Sequence, residues 1–389
     1  MNKSKLRRFS YSSYQYINIY LFARFSILKI PFKQPIFLID PSSFHLKPLL
    51  CGVNSENLIS LKPYNTFGLD VSCTELHTVD SRESLESLFE DGIFERNPKI
   101  ISGGSNLLLT ANIAQPVILN RIKGNRIQEE TEEHIIIEFG AGESWHDSVL
   151  HAVANNWGGM ENLSLIPGCM GAAPIQNIGA YGIELKDIFH ELKAFHIYKG
   201  EYHTFNLDDC KFGYRDSVFK NSLKNQYFIT EVSLRLDKNP KIRTQYGDIQ
   251  AVIDAKNLDN IGIADVSAAI IEIRQSKLPD PAQIGNSGSF FKNPVISSQH
   301  AALLKSKYPN LKYFPVNNFE TKIPAAWLIE NAGWKGYRRG NIGVHEKQAL
   351  VLVNYGNGNG TEIKKLAEEI QNDVRQKFDI TLDFEVNIW

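Results

Sequence analysis

The chain has 389 residues, 43% of them hydrophobic and 22% charged, with a formal net charge of −1. That length accommodates two or three domains with real cores, and the composition is that of an ordered globular protein, not a disordered or fibrous one. No apolar run reaches the ~18–20 residues of a membrane span. Cys51, Cys73, Cys169 and Cys210 show neither CxxC nor dense even spacing, so they are expected as free thiols of a reducing compartment, without a metal site.

The near-zero charge hides an asymmetry. Residues 1–52 hold eight Lys or Arg and one acid, Asp40, so the remainder carries 34 basic against 42 acidic residues. A body that acidic is a poor general nucleic-acid binder, and an anionic ligand has to be held by local cations and backbone amides. In the basic segment, "YINIYLFARFSILKIPFKQPIFLI" is interrupted by Arg24, Lys29 and Lys33, unlike the unbroken apolar core of an export signal. A membrane-surface segment is a further reading. We expect residues 1–52 to lie outside the folded protein, upstream of a start near Val53.

After residue 60, helix and strand patterns alternate. "SLKPYNTFGLD" has the Pro, Asn and Gly of an ordered turn leading into a strand. "SRESLESLFED" puts Leu85, Leu88 and Phe89 on one side of a short helix, and "WHDSVLHAVANNW" reads as another. "KIISGGSNLLLT" and "HIIIEFGAGES" are apolar strands running into glycine turns, and Val232, Leu234 and Leu236 alternate as a half-buried strand. A helix with Ile263, Val266, Ile270 and Ile273 on one face stops at "KLPDP", where two prolines forbid continuation. The last helix is expected to start with Thr361 as N-cap and to bury Ile363, Leu366, Ile370 and Val374. The closing "ITLDFEVNI" alternates strictly, as a strand does.

Four stretches are shaped for chemistry. In "SGGSNLLL" (102–109) two glycines, a serine and an asparagine separate apolar segments; such a turn either only reverses the chain or lets consecutive N–H groups grip an anion. It is neither GxGxxG nor a P-loop. "LSLIPGCMGAAPIQNIGAYGIEL" (163–185) is apolar, almost uncharged, and broken by prolines and glycines. It suits either a buried crossover or a wrap around a large flat ligand bearing phosphates. "CKFGYRDSVFK" collects Tyr214, Arg215 and Asp216, where the arginine can fork onto a carboxylate or pair with its neighbour at the surface. "GNSGSFFKNP" (285–294) holds Ser289 between a glycine and Phe290–Phe291, backbone shaped to fix a hydroxyl. Tyr246, Arg274 and Lys277 stand at loop and helix ends, while Glu385, on the polar side of the last segment, reads on its own as a water-facing glutamate.

Taken together and in this order, from about Leu61 to Trp389, these segments resemble the UDP-N-acetylenolpyruvoylglucosamine reductases, flavoenzymes that make UDP-N-acetylmuramate for the bacterial cell wall. "SLKPYNTFG", "GGSNLLL", "NRIKG", "GAGESWH", "LSLIPG", "PIQNIGAYG", "CKFGYRDSVFK", "KLPDP", "GNSGSFFKNP" and "ALVLVN" carry the resemblance. "YRDSVFK" followed by "QYGDI" looks like the type I branch, in which a loop tyrosine folds over the substrate.

The resemblance implies an α+β protein: a PCMH-type FAD-binding region of two α+β subdomains at 53–240, a smaller α+β substrate-binding domain at 241–378, and a final strand at 379–389 returning Glu385 to the active site. It implies non-covalent FAD, with NADPH as reductant and UDP-N-acetylglucosamine enolpyruvate as the small-molecule substrate. Cofactor binding then falls to Gly103, Gly104, Ser105 and Asn106, and to Pro167, Gly168, Gly171, Ile175, Asn177, Gly179 and Gly182. Tyr214, Tyr246, Arg274, Lys277 and Asn293 match substrate-binding positions. Hydride arrives at the vinyl carbon of the enolpyruvyl group, Arg215 and Glu385 steady the charge on its carboxylate, and Ser289 protonates the adjacent carbon. A cytoplasmic monomer, with neither nucleic acid nor membrane as partner, is expected. A flavin oxidase or dehydrogenase of another substrate, or a silent nucleotide-sugar binder, is the alternative.

Overall fold

The computed structural model describes residues 58–256 and 260–389; the expectation for residues 1–52 falls outside them. Strands β1 (Leu76–Val79) and β2 (Lys99–Ile101) flank β4 (Val117–Asn120) in a small parallel sheet ordered β1-β4-β2, with the short strand β3 (Leu107–Leu108) lying apart from it in the chain between β2 and β4. Helix α1 (Arg82–Glu90) follows β1, started by a reciprocal Ser81–Ser84 capping box, and buries Leu85. Parallel strands need crossovers, and here the crossovers end at the same edge, so the turns after β1, β2 and β4 line up.

A five-stranded antiparallel sheet comes next. It comprises β5 (Asn125–Glu130), β6 (His134–Gly140), β9 (Phe189–His196), β10 (Glu201–Asn206) and β11 (Tyr227–Asp237), in the order β10-β9-β11-β6-β5. The apolar alternation of β6 and β11 sends Ile135, Ile137, Phe139, Val232, Leu234 and Leu236 into one core beneath α2 (Trp145–Ala154). Between α2 and β9 the chain makes single 3-10 turns and a hairpin of β7 (Gly179–Ala180) and β8 (Ile183–Glu184). Helices α3 (Ile249–Ala255) and α4 (Ile263–Lys277) pack on each other through Ile249, Ile253, Val266, Ile270 and Ile273.

The remaining chain builds a four-stranded antiparallel sheet of β12 (Gly285–Ser289), β16 (Arg338–Arg339), β17 (Ile342–Val344) and β18 (Val351–Asn354), ordered β12-β18-β17-β16. A smaller sheet of β13 (Val295–Ser297), β14 (Phe314–Pro315) and β15 (Glu320–Lys322) and helices α5 (Ser298–Lys307), α6 (Ala325–Asn331) and α7 (Gly360–Phe378) complete it. The largest core joins this part to the beginning of the described chain: Leu61, Phe67, Leu107 and Leu119 share it with Phe290, Phe291, Leu366 and Leu382.

Two local expectations are corrected. The N-cap of α7 is Asn359, whose side chain accepts the Thr361 N–H, so Thr361 lies inside the helix. The last segment is mostly extended chain without a ladder: among the described residues only β19 (Asn387–Ile388) pairs, parallel to β3, besides a single bridge between Phe291 and Phe384. Its alternation still governs burial, with Ile380, Leu382 and Val386 inside. Apolar alternation reports a two-sided environment; a ladder also needs a neighbouring backbone in register, and the segment meets one only at two places.

Candidate active site

Ile101 ends β2, and the next turn carries Gly104 in the left-handed region at φ 59°. A Cβ there would sit 1.9 Å from the Tyr64 carbonyl oxygen, so only glycine fits. Gly103 faces the second glycine turn: its Cβ would lie 2.8 Å from the Cα of Gly168. The amides of residues 103–106, and those of Gly168 and Cys169, donate to no acceptor among the described residues. Two facing turns with unpaired N–H groups are an anion cradle. Ser105 ties them together, its hydroxyl donating to the Pro167 carbonyl at 3.1 Å. Asn106 donates both to Gln176 Oε1 at 3.0 Å and to the Glu385 carbonyl at 3.1 Å, joining the cradle to the segment 163–185 and to the last extended segment.

The segment 163–185 keeps its backbone against the five-stranded sheet through small residues. A Cβ on Gly171 would come 2.5 Å from that of Ala141. Ile175 offers its carbonyl to the Ser217 hydroxyl at 2.7 Å. Asn177, fully buried, donates to Glu184 Oε2 (3.0 Å) and the Gly213 carbonyl (2.9 Å) and accepts the Lys186 N–H. Its side chain is therefore occupied within the protein, and any ligand contact of Asn177 is through its backbone. The hairpin turn Tyr181–Gly182, with φ of 50° and 82°, is the tight kind that requires positive φ at both positions.

Arg215 stands beside this hairpin with its own φ at 53°, a strained value for a non-glycine residue. Its Nε donates to Glu385 Oε1 at 2.8 Å and its Nη2 to the Gly179 carbonyl at 2.5 Å. Both side chains of the pair are mostly buried, 19% and 13% exposed. Burial lifts the Glu385 carboxyl above the usual carboxylate range, against the opposing pull of Arg215, Lys220 and Lys292. Lys220 donates to the Arg215 carbonyl at 3.3 Å, and its own pKa is lowered by burial and then by Lys292. The Tyr214 ring has the Arg215 guanidinium 5.4 Å from its centroid and the Lys322 ammonium 4.7 Å from it.

Ser289 ends β12 at a bulge. Gly288 takes φ 65° and donates to Asn286 Oδ1 at 3.0 Å, while Asn286 donates to the carbonyls of Pro279 and Ile284. The next residue, Phe290, is fully buried against Phe67, Phe291 and Phe384. Its carbonyl accepts the Glu385 N–H at 2.9 Å, so the half-buried serine sits one residue from the backbone bond that holds Glu385. Arg215 and Glu385 are thus in direct contact, and Ser289 precedes the residue that holds the Glu385 backbone. Asn293 joins them, lying against Tyr214 and accepting the Ala325 N–H at 2.8 Å.

Tyr246, Lys277 and Arg274 lie near the Tyr181–Gly182 turn of the hairpin. Tyr246 is 49% exposed, with its ring against Gly182; Lys277 is ion-paired with Asp248 in the same loop. Arg274 is directed inward, with Nε donating to the Leu165 carbonyl at 3.3 Å. Reading the sequence did not single out Lys220, Lys322 or Gln176. Each is an ordinary polar residue by pattern, and only the approach of distant segments brings it here.

Residues 280–389 match the sequence profile of the UDP-N-acetylenolpyruvoylglucosamine reductase C-terminal domain, and residues 95–206 that of an FAD binding domain. The chain is 48% identical to the UDP-N-acetylenolpyruvoylglucosamine reductase of Flavobacterium johnsoniae, over 86% of this chain and 99% of that one. The chain belongs to the UDP-N-acetylenolpyruvoylglucosamine reductase family. The reductase of Amoebophilus asiaticus is 47% identical, with 85% and 98% covered. Among solved structures, the reductase from Thermus caldophilus is 23% identical with a TM-score of 0.58, covering 85% of this chain and 98% of its own, a likeness of fold. The architecture is α+β, with an FAD-binding region, as in the reductase family. The cradle fits its cofactor: unpaired amides on two facing glycine turns suit a pyrophosphate, and the apolar, side-chain-poor segment beside them suits a flat ring.

Proposed function

We propose that this protein reduces UDP-N-acetylglucosamine enolpyruvate to UDP-N-acetylmuramate, with FAD as cofactor and NADPH as reductant, in the synthesis of peptidoglycan. Bound FAD supplies the hydride, gained from NADPH, to the vinyl carbon of the substrate. The amides of residues 103–106 and 168–169 would hold the pyrophosphate of the cofactor, and residues 171–182 would bind its flavin ring. Residues 53–240 form the cofactor-binding region, residues 241–378 bind the sugar nucleotide, and residues 379–389 return Glu385 to the reacting end.

As hydride adds, negative charge builds on the enolpyruvyl carboxylate, and Arg215, steadied by Glu385, stabilises it. Ser289 then gives its proton to the adjacent carbon. A serine hydroxyl is a weak acid, adequate only when fixed within ~3 Å of a strongly basic carbon, and the Gly288 bulge and buried Phe290 supply a rigid support. Tyr214 and Asn293 bind beside the reacting group; Tyr246 and Lys277 receive the nucleotide diphosphate. The observation that carries this reading is the 2.8 Å pairing of Arg215 with Glu385, whose backbone N–H is held by the residue that follows Ser289.

Anaerobic half-reactions test it. NADPH should bleach the oxidised flavin band, and the enolpyruvyl sugar nucleotide should restore it. Ser289→Ala should keep the first step and slow turnover by roughly 10²–10⁴-fold, the span of general acid catalysis. A Ser289→Ala enzyme that completes both steps at the normal rate would remove Ser289 from the mechanism.

A further inference from the structure

Leu165 takes φ 57°, in the left-handed region, a conformation a leucine does not adopt unless its surroundings hold it there. Both polar groups of this residue are gripped by side chains. Its N–H donates to His146 Nδ1 at 3.0 Å, from the first turn of α2. Its carbonyl accepts Arg274 Nε at 3.3 Å, from the last turn of α4, 109 residues along the chain. Both side chains are at least partly buried. Next to them the Ser164 hydroxyl bonds that of Ser267 at 2.8 Å, fastening the same turn to the same helix. Two residues after Leu165 comes Pro167, whose carbonyl accepts the Ser105 hydroxyl, and then Gly168, which abuts Gly103.

We infer that His146 and Arg274 are positioning residues that clamp the strained Leu165 peptide and thereby set the glycine turn 166–168 that holds the flavin cofactor. The inference rests on the reading that this turn is part of the FAD site. His146 must be neutral, with its proton on Nε2, because Nδ1 is the acceptor. Arg274 acts through its directional N–H and not as a free charge offered to the substrate. Lys277, one turn further on α4, is left for the nucleotide loop. The sequence gives His146 no catalytic neighbour and gives Arg274 the look of one more loop-end cation; the clamp exists only because α2 and α4 both reach the two peptide groups flanking Leu165.

The experiment compares flavin retention with sugar-nucleotide KM in the full-length holoenzyme. His146→Leu and Arg274→Met should each weaken FAD binding by roughly tenfold, the order of one buried hydrogen bond, measured by the release of flavin fluorescence on dilution. The oxidised flavin band should lose fine structure at the same time. His146→Gln and Arg274→Lys, which restore an acceptor and a donor, should recover most of the loss. Leu165→Gly should also lessen the defect of His146→Leu, because glycine holds φ 57° without help. Circular dichroism separates misfolding from cofactor loss, and the two restoring variants keep the test decisive if a deletion variant does not fold. If Arg274→Met instead raises KM while FAD binds normally, Arg274 contacts substrate and the inference fails. Unaltered flavin binding and spectrum in His146→Leu would overturn it equally. A wild-type protein that binds no FAD at all would refute the underlying reading of the site.

Discussion

Glu138 and Glu385 are both largely buried and both paired with an arginine, yet their carboxyl groups are shifted in opposite directions. Glu138, on β6, accepts Arg126 Nε at 2.6 Å, Gln128 Nε2 at 2.8 Å and Lys193 Nζ at 2.6 Å. Burial works to raise its pKa, but the bonds from Arg126 and Lys193 outweigh it and hold the carboxyl below the usual range. Glu385 has a single side-chain donor among the described residues, Arg215 Nε, and there burial prevails and the pKa rises. A charge kept for the fold has its acceptors saturated by protein donors. The glutamate at the candidate site is left short of them, and the charges of Arg215, Lys220 and Lys292 around it do not offset its burial.

The sharpest break of this comparison is Glu385→Gln. Turnover of the sugar nucleotide should fall by roughly 10²–10³-fold, as for removal of one group that stabilises developing charge, with NADPH reduction of the flavin retained. Its stability should not suffer at neutral pH. A carboxyl whose folded pKa is raised adds stability below the ordinary value of 4.5 and loses it as pH rises through the folded pKa. For the same reason kcat/KM should decline on the acid side at a pH above 4.5, where Glu385 takes up a proton, and that limb should vanish in Glu385→Gln. A profile flat through that region would mean that the pair does not titrate in turnover.

Glu138→Gln should do the reverse. Chemical denaturation should show a loss of roughly 2–3 kcal/mol, less than for a fully buried pair because Arg126 is largely exposed, with kcat nearly unchanged. Its contribution is present above the ordinary carboxylate range and lost as pH falls through the lowered folded pKa. A strong drop in kcat with stability intact would erase the distinction between the two glutamates. The smallest effect is expected at the exposed Lys277–Asp248 pair: Asp248→Asn frees the lysine for the diphosphate and should lower the sugar-nucleotide KM by about two- to fivefold, the scale of a surface ion pair. An increase in KM would show that Asp248 helps to place Lys277.

Much of the fold was legible because its signals are local. The Leu85 helix face, the alternation at 232–236, the proline stop after Lys277 and the glycine turns each report on hydrogen bonds and burial within a few residues. Local signals also failed at predictable places. Thr361 was a reasonable cap, but Asn359 reaches the helix end first; and the alternation of 380–388 set which side chains are buried without specifying a pairing partner. The site was legible only through its resemblance to a known family. By pattern alone Glu385 was a water-facing glutamate, and Arg215 had an aspartate next to it as the obvious mate; in the fold Asp216 takes Asn221 and Arg215 takes Glu385.

By itself, then, the order of residues determined where chain could be helix, strand or bare backbone, because those choices depend on side chains a few positions apart. Tertiary structure decided which charges are desolvated together. That depends on the path of segments up to 170 residues apart, and on a core in which Leu61 and Phe67 pack with Leu366 and Leu382. Desolvation is a property of the assembled surroundings, so no single stretch of the chain encodes the opposite behaviour of Glu138 and Glu385.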